Sequence, residues 1–218
     1  MFVEALGITA IAAFLHLDGS YFGQLMIGRP IVVGTLVGIL MGDIVIGAKL
    51  GLAIELIWIN VIPIGTTFLP DVTGIAFFSV FWILSNGKLD TGNCLYALAL
   101  ALPFGILSQQ IDYWVRKQNS RYVQRVEQHV NNGEFSYIGV LITHHLFWLY
   151  IIRLITYLGI IFAGKYLLTL IHSLLPITCS VNYDTVFQLF ILLGLAVTFN
   201  MFIEGRAGFI DKLLGRTN

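Results

Sequence analysis

Residues 29 to 71 read RPIVVGTLVGILMGDIVIGAKLGLAIELIWINVIPIGTTFLPD, and this stretch decides the fold class. It is apolar enough to lie in a bilayer, yet it carries Arg29, Asp43, Lys49, Glu55 and Asp71. Pro30 opens it, Gly42-Asp43 interrupts it, and Pro63 and Pro70 break its far end. The apolar runs between these marks, 30–41 and 44–62, fall short of or barely reach the roughly 20 residues of a spanning helix. The pattern is that of packed, broken helices around a polar path.

Outward from this stretch the composition agrees. Of 218 residues, 57% are hydrophobic and 11% charged, with a formal net charge of zero. Soluble domains carry about a quarter charged residues, so the chain reads as a multi-pass membrane protein. Without water in the bilayer core the backbone must satisfy its own hydrogen bonds, and the period-2 alternation of a membrane barrel is missing. The expected fold class is therefore all-α, with short, broken or re-entrant helices in a single membrane domain over 1–218. A first helical half (1–111) holds the 29–71 stretch, a polar segment (112–134) follows, and a second helical half (135–218) is short at its C-terminal end.

On the N-terminal side, the run 2–17 has Glu4 and no early Lys or Arg, so it is read as retained rather than as a cleaved signal. On the C-terminal side, runs 72–84 and 94–111 flank the turn SNGKLDTGN. The segment 112–134 reads either as an amphipathic surface helix or as a solvated loop helix. Residues 139–174 read as one tilted span plus a shorter returning piece, and 186–202 as the last apolar run. Arg116, Lys117, Arg121 and Arg125, and Arg206, Lys212 and Arg216 in the tail, place both polar regions in the cytoplasm by the positive-inside rule.

Several chemistries are excluded. Cys94 and Cys179 make neither a disulfide framework nor a metal site. His144-His145 lacks an HExxH pattern or a carboxylate partner and reads as a packing or interfacial pair; His16 and His172 are no stronger. No P-loop is present, and no basic patch argues for nucleic acid. No cofactor, metal or catalytic constellation is expected.

Gly34, Gly38 and Gly42, with Gly47 and Gly51, recur every four residues, which lets helix backbones approach closely in lipid. The charges weigh more, because a charge at the centre of a membrane helix costs about 2.5–3.5 kcal/mol on insertion scales. Two readings compete for Glu55: a packing carboxylate paired with Lys49 or Arg29, or an acceptor for sugar hydroxyls, to which carboxylates are well suited. Asp43 reads equally as a helix cap and as a ligand contact. Asp71, with the freed backbone of IPIGTTFLPD, reads as a half-helix site of the kind transporters place near the membrane middle.

The motif RPxxxxTLVGxxxGD over 29–43, with Glu55 twelve residues on and Pro70-Asp71 beyond, resembles the IIC membrane component of mannose-family sugar phosphotransferase systems. LLGLAVTFNMF, Leu192 to Phe202, is similar to that family's G-x-A-x-x-x-N-M pattern. The resemblance implies a permease of the bacterial inner membrane that moves a hexose or amino sugar for phosphorylation by cytoplasmic subunits. It further implies a IID membrane partner, cytoplasmic IIA and IIB phosphocarriers, an oligomer of IIC–IID units, and no phosphorylated residue in this chain. Glu55, Asn60, Gly65, Thr66 and Asp71 would line the sugar path, while Arg29, Pro30, Gly42, Asp43, Pro63 and Pro70 shape the helix breaks. Two departures stand out. Mannose-type members carry Asn where this chain has Pro63, which favours an amino-sugar relative. The chain also ends about one segment short of the family pattern, which keeps open a second role as a non-transporting scaffold that assembles with IID.

Overall fold

The computed structural model describes residues 2–19, 21, 23–59, 70–85, 91–132, 135–174, 185, 188–189, 191–200 and 203. Among them there is no strand. The helices are α1 (Phe2–Asp18), α2 (Pro30–Met41), α3 (Ile44–Trp58), α4 (Val72–Ser85), α5 (Thr91–Asn131), α6 (Phe135–Leu174) and α7 (Ile191–Asn200).

The helices α2 and α3 form a hairpin because every residue at their junction favours a reversal. Pro30 sits in the first turn of α2, where its missing N–H costs nothing. Gly42 ends α2 in the left-handed conformation (φ 93°), which glycine adopts without a Cβ penalty. Asp43 then caps α3, its side chain accepting from the Ile46 N–H at 3.0 Å. With 12 and 15 residues the limbs are about 18 and 22 Å long, each shorter than the roughly 30 Å hydrocarbon core.

The limbs touch backbone to backbone. A Cβ added at Gly34 would lie 2.6 Å from the Gly47 carbonyl oxygen and 2.9 Å from the Gly51 Cα. One added at Gly38 would lie 2.6 Å from the Asp43 carbonyl oxygen. No flexible side chain can yield at these points, so the helices themselves would have to separate. Gly34→Ala is accordingly expected to destabilise the protein by about 1–3 kcal/mol. Gly159→Ala, where an added Cβ meets nothing within 4 Å, should be neutral or stabilising. Thermal unfolding of both variants in one detergent checks the contrast.

At the centre lies α4, whose residues Thr73 to Ile83 are all buried, as expected of a helix that is apolar all round. It packs against α1, α2, α3, α5 and α6. Phe77, Phe78, Trp82 and Tyr157 form its aromatic core, with ring centroids 5.0–5.8 Å apart. The Trp82 indole N–H donates to the Ile161 carbonyl at 3.1 Å. Gly164 leaves the room that Trp82 occupies, because a Cβ there would collide with the indole. In the same way Gly194 lets α7 lie against Leu56 of α3.

Two expectations change. The segment 112–134 is neither a separate surface helix nor a loop helix over its described part; it continues the apolar run 94–111 as the single 41-residue helix α5, through Pro103. Residues 139–174 are not a span plus a returning piece but one unbroken helix, α6. Its segment Ile138–Ile171 is long and apolar enough to cross a membrane. No break is needed at Arg153, because its charge is met inside the bundle, as described next.

Candidate functional site

Two centres of side-chain ion pairs lie among the described residues. The first begins at the N-terminus of α2, whose cap residue Arg29 makes no side-chain cap of its own. The free N–H of Ile31 is met instead from α3, by Glu55 Oε2 at 3.3 Å. Glu55 Oε1 accepts from the Arg29 guanidinium at 2.7 Å. Glu55 thus has the Arg29 partner that one of the two readings allowed, and its side chain is still 13% exposed. It opens on a cavity of about 560 Å³ between the end of α1, the α1–α2 connection, the start of α2, the end of α3 and the start of α4. Gln24, Met26, Arg29, Glu55, Trp58 and Thr73 are among its lining residues. A carboxylate with remaining lone pairs, a half-exposed guanidinium, a carboxamide and an indole suit an uncharged, hydroxyl-rich ligand.

The second centre is buried and surrounds Asp71. Its Oδ1 accepts from the Gly74 N–H at 2.8 Å, capping α4, and lies 3.0 Å from His16 Nδ1 on α1. Its Oδ2 accepts from Ser108 Oγ of α5 at 2.6 Å, from the Tyr157 hydroxyl of α6 at 2.9 Å and from Arg153 at 3.3 Å. Arg153 also pairs with Asp112, which in turn lies 3.2 Å from His16 Nε2. The four ionisable groups close a ring, His16–Asp71–Arg153–Asp112, that joins α1, α4, α5 and α6. It is charge-balanced when His16 carries both ring protons.

The structure therefore separates the two residues ranked highest in the sequence. Glu55 lines the cavity, whereas the Asp71 side chain is 1% exposed and occupied by protein partners. The residues next to it, Val72 and Thr73, reach the cavity wall. Pro70 precedes the α4 cap, its carbonyl accepting from Val72 N–H at 2.8 Å. Asn60, Pro63, Gly65 and Thr66 lie outside the described residues. The His145 ring lies tilted by 36° against Tyr122 of α5, centroids 4.1 Å apart, and takes no part in either centre.

Sequence reasoning missed Ser108, Asp112, Arg153 and Tyr157 as site residues and gave His16 little weight. A signal was present. Ser108 and Asp112, and Arg153 and Tyr157, are each four apart and so share a helix face. An arginine inside an apolar run also needs a polar partner or a wet cavity, and a carboxylate is one such partner. Among the described residues no group of His, Cys, Asp and Glu is disposed to hold a metal ion.

The family described as "PTS system sorbose-specific iic component" matches residues 2–210, nearly the whole chain. The chain belongs to this phosphotransferase IIC family. Similar members include the Escherichia coli (strain K12) protein named "Putative N-acetylgalactosamine permease IIC component 2", 33% identical over 48% of this chain and 74% of that protein. The mannose-specific EIIC component of the same strain is 26% identical over 59% of this chain and 47% of its own length. A Klebsiella pneumoniae sorbose-specific EIIC component is 23% identical over 65% and 52%. The matched region spans about half the length of these last two IIC relatives. The fold is shared with the solved structure titled "CryoEM Structure of Mannose Transporter ManYZ and Microcin E492 (MceA) complex", with a TM-score of 0.68, 19% identity, and coverage of 100% of this chain and 88% of that one. The IIC family and this fold identify a helical membrane protein.

Proposed function

We propose that the chain is the sugar-translocating subunit of a bacterial phosphoenolpyruvate-dependent phosphotransferase system. It carries a hexose or amino sugar across the inner membrane for phosphorylation by cytoplasmic IIA and IIB proteins and works in complex with a IID subunit. The observation that carries this reading is the 560 Å³ cavity bordered by the Arg29–Glu55 pair, in a chain of IIC ancestry. Its size accommodates a single sugar ring with water, and pockets for small molecules start at about 300 Å³. Glu55 is the sugar acceptor. Asp71 holds the α4 end of the cavity wall, and the family resemblance assigns Asn60, Gly65 and Thr66 to the sugar path as well.

The basic residues of 112–134 and of the C-terminal tail face the cytoplasm by the positive-inside rule, where the phosphocarriers work. The names of the relatives support the substrate class, and the amino-sugar relative with the highest identity quoted above makes N-acetylated hexosamines the first sugars to try. The test is phosphoenolpyruvate-dependent uptake of labelled hexoses and amino sugars by cells expressing this chain with IID, IIA and IIB partners. Accumulation of one of them as its phosphate ester is expected. An assembled complex that moves none would leave the scaffold role in its place.

A further inference from the structure

The connection between α1 and α2 is built in an unusual way. Gly23 (φ 69°), Gln24 (φ 50°) and Met26 (φ 63°) are all left-handed, and two of them are not glycine. Such backbone is disfavoured for L side chains and persists only where the surroundings over-determine it. Here they do. Asp18, at the end of α1 and 1% exposed, turns both carboxylate oxygens to the connection. Oδ1 accepts from Leu25 N–H at 2.8 Å and Oδ2 from Ile27 N–H at 2.9 Å. These are the N–H groups that immediately follow the two left-handed non-glycine residues. The connection is therefore wrapped around one buried carboxylate, and its far end is tied down by the Thr73 hydroxyl donating to the Gly28 carbonyl at 2.7 Å. The outcome of this construction is that Gln24, itself exposed, forms part of the wall of the cavity that holds Arg29, Glu55 and Trp58.

We propose that Gln24 is a sugar-contacting, specificity-determining residue and that Asp18 is the residue that positions it. The inference rests on the reading of this cavity as the sugar site. A carboxamide offers two donors and one acceptor oxygen on a single planar group, which matches a sugar hydroxyl that both gives and takes a hydrogen bond. Glu55 and Arg29 already satisfy each other in part, and the indole of Trp58 presents an apolar face to the ring C–H groups. Gln24 is thus an uncharged group on this wall able both to donate to and to accept from one hydroxyl, or to donate to an N-acetyl oxygen.

Uptake kinetics with the transported sugar and its mono-deoxy and N-acetyl-lacking analogues provide the test. Gln24→Gly is the informative variant, because it deletes the side chain at a φ that glycine prefers and so leaves folding intact. Loss of one neutral hydrogen bond raises KM about two- to tenfold with Vmax retained. One analogue in the series, the one lacking the partner group, should show the same KM with wild type and variant. Asp18→Ala should raise KM by a similar factor because it removes both anchors of the connection that carries Gln24, and Asp18→Asn, which keeps one acceptor oxygen, should recover part of the loss. If wild type transports and Gln24→Gly keeps its KM across the whole series, this inference is overturned while the permease reading stands. A wild-type complex that transports none of the sugars overturns the permease reading and takes this inference with it.

Discussion

Arg153→Met is expected to cost a large share of the protein's stability. Arg153 is 4% exposed and neutralises two carboxylates, Asp71 and Asp112. Without it, His16 alone faces both. Removing one partner of a buried ion pair costs about 3–5 kcal/mol because the other charge is left unmatched, and a typical domain has only about 5–15 kcal/mol in total. The yield of monodisperse protein in mild detergent should fall sharply, and the unfolding temperature with it. Arg153→Lys should be intermediate, since an ammonium lacks the planar fork that spans two acceptors. The double variant Arg153→Met/Asp112→Asn restores the charge balance of the ring and should recover part of the loss. An Arg153→Met protein as stable as wild type would show that the ring has no structural weight.

The second large effect is on transport. Glu55→Gln keeps a carbonyl oxygen for the Ile31 N–H and preserves the side-chain volume, so the hairpin should fold. It removes the charge that orders Arg29 and that, in the proposed reading, accepts from the sugar. Hydrogen bonds to charged groups contribute about 1.5–3 kcal/mol, so sugar uptake should fall roughly ten- to 150-fold with unfolding temperature near that of wild type. Glu55→Ala should add a stability loss, because it also uncaps α2. Undiminished uptake by Glu55→Gln would remove Glu55 from the sugar path while leaving family membership untouched.

Much of the fold was legible because lipid-facing helices announce themselves through apolar length and through Pro, Gly and Asp at their ends. The run 30–41 is α2 residue for residue, and the Gly42-Asp43 interruption is the hairpin reversal. The continuity of α5 was less legible. Its surroundings change from apolar to polar near Asp112, and composition reports that change while the backbone passes through it unaltered. Asp71 was visible as a residue with a task, but its partners were not. His16, Ser108, Arg153 and Tyr157 lie 37 to 86 residues away along the chain, and periodicity tells which residues share a face, never which faces meet. Glu55 was legible for a physical reason: an acidic group in an apolar helix must answer to something nearby. Gln24 was not, because its importance arises from a backbone conformation that no residue pattern spells out.

The glycine contacts of α2 and α3 bear on how substrate preference could change. Arg29 and Glu55 stand on opposite limbs of a hairpin whose limbs meet main chain against main chain, so the spacing of the backbones that carry them is dictated by peptide geometry. Such a caliper has one setting. In the proposed reading, a new sugar preference would be acquired by exchanging the side chains around it, at Gln24, Met26 and Trp58, while the hairpin pair stays as it is.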